Sequence, residues 1–131
     1  MRKSHGGTYP ANWGEIARRT KEQSGWNCIR CGRHHSPDLG YCLTVHHLDM
    51  NPSNNRWWNL LALCQRCHLQ VQAKVELSQI YMFEHSAWIK TYVAGYYASL
   101  LGLPEERAAI EPFADVIIQL GQGRLAPVQT I

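Results

Sequence analysis

The chain has no apolar run long enough to cross a bilayer, so no membrane-spanning helix is expected. Its opening residues, MRKSHGGTYP, lack the hydrophobic stretch of a secretory signal, which gives the expectation of an intracellular, cytoplasmic protein in a reducing compartment. There is no internal repeat and no low-complexity tract, so repeat architectures are not expected. Acidic residues are few in the first part of the chain: residues 1–75 carry ten Lys/Arg against four Asp/Glu, whereas residues 76–131 carry three against six. That positive part suits a polyanionic partner such as DNA, because phosphate contacts supply most non-specific affinity, although a solvated surface carries charge of the same size. Cysteine is present in odd number, five, and four of the five fall in metal-knuckle spacing, so a disulfide framework is not expected. A length of 131 residues predicts one folded unit whose core is small enough for a structural zinc to matter.

What is there begins with those four thiols. Cys28 and Cys31 in CIRC, and Cys64 and Cys67 in CQRC, form a closed tetrahedral set for structural Zn²⁺ and leave His46, His47 and His68 to other chemistry. Cys42 is left over and reads as a small buried hydrophobe. Asn12 with Glu15 resembles a capping pair, and Trp13, Ile16, Ala17 and Thr20 recur at helical spacing until Gly25. His34 to Gly40 read as a loop, YCLTVHH as a strand ending near His47, Asp49 to Asn55 as a polar loop and LLALC as a short buried strand. A helix from about Gln65 completes a ββα unit. That helix is expected to carry Val75, Leu77 and Ile80; a second long helical stretch with Phe83 runs to about Leu101 and is stopped by Gly102, a short helix starts at Pro104, and an apolar segment, ADVIIQL, follows the break at Pro112. The expected class is therefore α+β. Residues 1–11 form a flexible basic leader, 12–76 the ββα domain, and 77–131 a helical extension that packs on the core or contacts a partner, a second copy included.

The segment from Cys28 to about Gln72 resembles an HNH endonuclease domain of the zinc-finger-containing kind. That family's run is a His-His or Asp-His pair ending a strand, an Asn before a short apolar strand, and C-x-x-C-[HN] opening a helix. Here the pattern is met by His46 and His47, by Asn59 in WWNL, and by Cys64, Cys67 and His68. It covers about a third of the chain. The resemblance implies a treble-clef-like ββα-metal core and metal-dependent hydrolysis of DNA phosphodiester bonds. It makes His46 and His68 ligands of one divalent ion, His47 the general base, and Asn59 the residue that orients the His47 ring, with Asn54 or Asn55 as alternatives. Many members carry a further His or Asn one turn after His68. This chain has Gln72, which leaves two imidazoles and a site open to Mg²⁺, Mn²⁺, Ni²⁺ or Zn²⁺. Strict alternation sends His46 and His47 to opposite faces, so a shared site requires the strand to bend or end at the pair. Arg30, Arg33, Arg56 and Arg66 are the candidate DNA contacts. The rival reading is a non-catalytic zinc module of the same fold that binds DNA or assists a partner enzyme.

Overall fold

The computed structural model describes residues 8–74 and 87–123. Val75, Leu77, Ile80 and Phe83, expected in helices, lie outside the described residues. The chain divides into two compact units, Met1–Gln79 and Ile80–Ile131.

The first unit is α+β, built on a two-stranded antiparallel sheet. Its opening helix α1 spans Trp13–Gln23. Asn12 occupies the N-cap position without a side-chain cap bond, and Glu15 pairs with Arg19 at 3.0 Å one turn on. The expected capping box is thus replaced by an i,i+4 ion pair, which competes for the same carboxylate. Gly25, at φ +67°, lets the chain turn out of the helix. Residues 8–11 are not a loose leader. The Thr8 N–H donates to Ser53 Oγ and the Ser53 hydroxyl donates back to the Thr8 carbonyl, both at 2.9 Å.

Strand β1, Leu43–His47, pairs with β2, Leu60–Cys64, in a register running from Leu43↔Cys64 to His47↔Leu60. It starts two residues later than YCLTVHH suggests, because Tyr41 pairs with Ser36 and Cys42 is tied to Gln65. Helix α2, Gln65–Lys74, follows β2 with no intervening loop. Both α1 and α2 pack against both strands, which explains why all five residues of LLALC are apolar or thiol and buried. Leu43, Leu48, Trp58, Leu61, Leu63 and Val71 fill this core.

The second unit contains α3, Lys90–Leu101, the single turn α4, Arg107–Ile110, and α5, Ala114–Gly121. Gly102 takes the left-handed conformation that stops α3, and Pro112 falls in a tight turn before α5. Helices α3 and α5 pack closely enough that a Cβ on Gly121 would run into the Tyr97 ring, and Lys90 bridges to Asp115 at 3.0 Å. Among the described residues no helix is long and apolar enough to cross a membrane.

Candidate metal centres and the histidine pair

All five cysteines are free thiols, and Cys28, Cys31, Cys64 and Cys67 bring their Sγ atoms within 4.8 Å of one another. Cys31 Sγ and Cys64 Sγ are 3.8 Å apart. A tetrahedral Zn–S bond near 2.3 Å requires an edge of about 3.8 Å, so the cluster fits one zinc-sized ion. Each knuckle is shaped by its backbone: the Cys31 N–H points at Cys28 Sγ at 3.5 Å and the Cys67 N–H at Cys64 Sγ at 3.4 Å. Arg30 donates to Cys67 Sγ at 3.3 Å and to Gln70 at 2.6 Å.

Without an ion these thiols ionise unequally. Burial pushes Cys67 up to about 12, against the pull of the Arg30 hydrogen bond. Burial also opposes ionisation of Cys28, but the backbone amides of Cys31, Cys64 and Arg30 outweigh it and hold that thiol low. Loading a metal must therefore displace protons.

The histidine pair divides between the two faces of the hairpin. Alternation along β1 puts Thr44 and His46 on one side and His47 on the other. Contacts agree with this division. His46 and His68 meet edge to face, with centroids 4.9 Å apart and an interplanar angle of 67°, and both Nε2 atoms are buried. The Thr44 hydroxyl donates to the Leu63 carbonyl at 2.7 Å and lies 2.8 Å from His68 Nδ1. Its only proton is thereby used, so His68 Nδ1–H must donate to Thr44 and the ring's lone pair falls on Nε2. Such a hydrogen bond orients a metal-binding imidazole, and Thr44 is a residue that sequence reasoning missed. A β-branched residue two positions before a histidine on the same strand face was the available signal.

His47, the last residue of β1, packs against Trp13 at 4.9 Å and Tyr9 at 5.8 Å between ring centroids. The strand ends at the pair, as a shared site requires, yet the register carries His47 to the side of α1. Its Nε2 lies 3.2 Å from Asn55 Oδ1. Asn55 Nδ2 donates to the carbonyls of Pro52 and Ser53 at 3.4 and 3.3 Å, which fixes its amide orientation and makes His47 Nε2 the protonated nitrogen. Nδ1 then carries the lone pair. Burial lowers the His47 pKa below its ordinary value, with Asn55 and the charge of Asp49 opposing.

Asn59 directs its hydrogen bonds to Asp49 and Asn54 rather than to this ring. It is fully buried, accepts from the Asp49 N–H at 2.8 Å, and donates to Asp49 Oδ1 at 2.8 Å and the Asn54 carbonyl at 2.7 Å. Asn54 Nδ2 also donates to Asp49 Oδ2, at 2.7 Å. The ring-orienting contact expected of Asn59 is thus made by Asn55, while Asn59 and Asp49 pin the β1–β2 loop that presents Asn55. Asn59→Ala strands buried partners and should cost about 3 kcal/mol, whereas Asn55→Ala should cost about 1 kcal/mol or less and release the His47 tautomer. Urea unfolding of zinc-saturated protein, with ¹⁵N shifts of His47, separates the two.

The remaining candidates sort as follows. His34 bonds Asn27 at 3.1 Å, and His35 accepts from the Leu43 N–H at 2.9 Å, so both shape the loop before β1. Cys42 is half-buried rather than buried. Trp58 is core and Trp57 is part-exposed. Asn51, Ser53, Asn54, Asn55 and Arg56 line an open polar depression on the loop beside His47. Arg33 and Arg66 both approach the Tyr41 ring. The side chain of Gln72 lies outside what is described. No protein-family model, no curated protein and no solved structure matches the chain.

Proposed function

We propose that this protein is a metal-dependent DNA endonuclease of the HNH kind, with Cys28, Cys31, Cys64 and Cys67 holding a structural zinc. The observation that carries the reading is the meeting of His46 and His68 across β1 and α2, with Thr44 turning the His68 lone pair onto buried Nε2. These two imidazoles would hold one divalent ion, with the rest of its shell open. When bound, such an ion supplies Lewis acidity toward phosphate oxygens. His47 takes the proton of the attacking water. Its Nε2–H is anchored on Asn55, its Nδ1 carries the lone pair, and its lowered pKa keeps it neutral at pH 7. Arg56 and the asparagines of the neighbouring depression are the groups a phosphodiester would meet beside that ring.

Supercoiled plasmid, incubated with protein stripped of loosely bound ions and resupplied separately with Mg²⁺, Mn²⁺, Ni²⁺ and Zn²⁺, tests this. Nicking should depend on the ion and fall by about 10²–10⁴-fold in His47→Ala. A base must be neutral to act, and burial depresses the His47 pKa. The acid limb of the rate profile should therefore have its midpoint below the ordinary 6.5, and a midpoint above it would remove His47 from the role.

The non-catalytic reading has two observations in its favour: Tyr9 and Trp13 pack on His47, and alternation along β1 sends His47 to the face of the hairpin opposite the His46–His68 pair. No nicking with any ion, in protein that retains its structural metal and binds DNA, would select it.

A further inference from the structure

The basic residues of the first unit are not equivalent. Arg18 and Arg19 are paired with Glu22 and Glu15, and Arg30 is bonded to Gln70 and Cys67. Arg33 and Arg66 are exposed, and neither has a carboxylate partner among the described residues. Their guanidinium carbons lie 4.3 and 4.5 Å from the centroid of one ring, Tyr41. The two cations are therefore no further apart than the sum of those distances. Like charges gathered on one ring repel each other, and an anion between or beside them relieves that repulsion.

The arrangement is held from several sides. Tyr41 exchanges backbone hydrogen bonds with Ser36, both at 3.0 Å, and the next residue, Cys42, exchanges bonds with Gln65 at the start of α2. Arg66, in the first turn of α2, donates Nε–H to the Gly40 carbonyl at 3.3 Å. Gly40 has φ +84°, and a Cβ there would lie 2.8 Å from Arg66 Nη2, so this glycine is what lets the guanidinium settle against the loop. A guanidinium stacked by its face keeps its in-plane N–H groups for other acceptors. With Nε used on Gly40, the Nη groups of Arg66 and the fork of Arg33 have no hydrogen-bond acceptor among the described residues, and a phosphate is the acceptor that matches such forks in shape and charge. The N-terminal end of α2 adds partial positive charge at the same place.

We propose that Arg33, Tyr41 and Arg66 form a clamp for the phosphodiester backbone of duplex DNA. The proposal rests on the nuclease reading only for its choice of DNA as the polyanion. Arg30, by contrast, is occupied at the knuckle and is not part of the clamp.

Binding of a fluorescein-labelled DNA duplex, measured by anisotropy across a salt series in the zinc-loaded His47→Ala background, tests it without cleavage. Arg33→Gln with Arg66→Gln should reduce the magnitude of the log–log salt slope by about two, since each lost phosphate contact removes about 0.9, and weaken binding at least about tenfold at 0.1 M salt. Tyr41→Leu keeps both charges but loses the platform, and should weaken binding about threefold with the slope nearly unchanged. Arg18→Gln with Arg19→Gln, whose charges are already paired, should leave the slope within about half a unit. If the Arg33/Arg66 double variant fails to retain zinc, Arg66→Gln alone is read, with an expected slope change of about one. A slope and affinity unchanged in the clamp variants overturn the proposal. Plasmid nicking is scored separately. A protein that never nicks but loses DNA through these variants keeps the clamp and loses the nuclease reading. One that nicks while the clamp variants bind as the parent does the reverse.

Discussion

Cys64→Ser should lose the structural metal and with it the fold of the first unit. Structural zinc sites of this type contribute apparent binding free energies of about 10–16 kcal/mol at neutral pH, comparable to or larger than the whole stability of a typical domain. The sheet consists of one hairpin of five-residue strands, and an isolated hairpin is marginal in water. Cys64 is the last residue of β2, and Cys67 lies in the first turn of α2, so losing the cluster frees the joint between them. Circular dichroism, amide dispersion in NMR and metal analysis together read this. A Cys64→Ser protein that keeps native dispersion without metal would refute it.

Acid should produce the same outcome by a different route. With Cys67 held near 12 by burial, and Cys31 also raised by burial, zinc binding is coupled to proton release. Each proton displaced costs roughly tenfold in affinity per pH unit lowered. Zinc retention is therefore greatest at neutral and alkaline pH and falls steeply as pH falls.

Much of this frame was legible in the sequence, for physical reasons. Paired C-x-x-C spacing needs little tertiary context, and LLALC is an unbroken apolar run because helices lie against both faces of β2. What could not be read were contacts that depend on register and loop closure. Asn54, Asn55 and Asn59 are chemically identical, and only the folded loop decides that Asn59 bonds Asp49 while Asn55 reaches His47. Likewise the involvement of Tyr9 and Thr8 required the N-terminal segment to return to the β1–β2 loop, 45 residues away along the chain for the Thr8–Ser53 pair. Arg30 and Arg33 look equivalent in CIRCGR, yet one bonds a thiol of the four-cysteine cluster and the other lies over the Tyr41 ring.

Successive residues of a helix point about 100° apart, and α2 uses that angle to serve two centres at once: Cys67 turns to the thiol cluster and His68 to β1. The first unit thus makes His68 dependent on the cluster for its position and on Thr44 for its tautomer. Thr44→Val keeps the β-branched shape and removes the hydroxyl. The imidazole is then free to place its proton on either nitrogen and to rotate, and affinity of the His46–His68 site for Ni²⁺ or Co²⁺ should fall by about 10–100-fold while the four-cysteine site stays filled. His68→Ala removes a ligand outright and should abolish that binding. Calorimetric titration of the zinc-loaded protein, together with the Co²⁺ absorption spectrum, reports both without reference to catalysis. Equal affinity in wild type and Thr44→Val would break the tautomer argument. Equal affinity in His68→Ala would remove His68 as a ligand. A loss in His68→Ala that Thr44→Val reproduces in part, with the fold intact, would mean that the strand hydroxyl positions the helix imidazole for the ion.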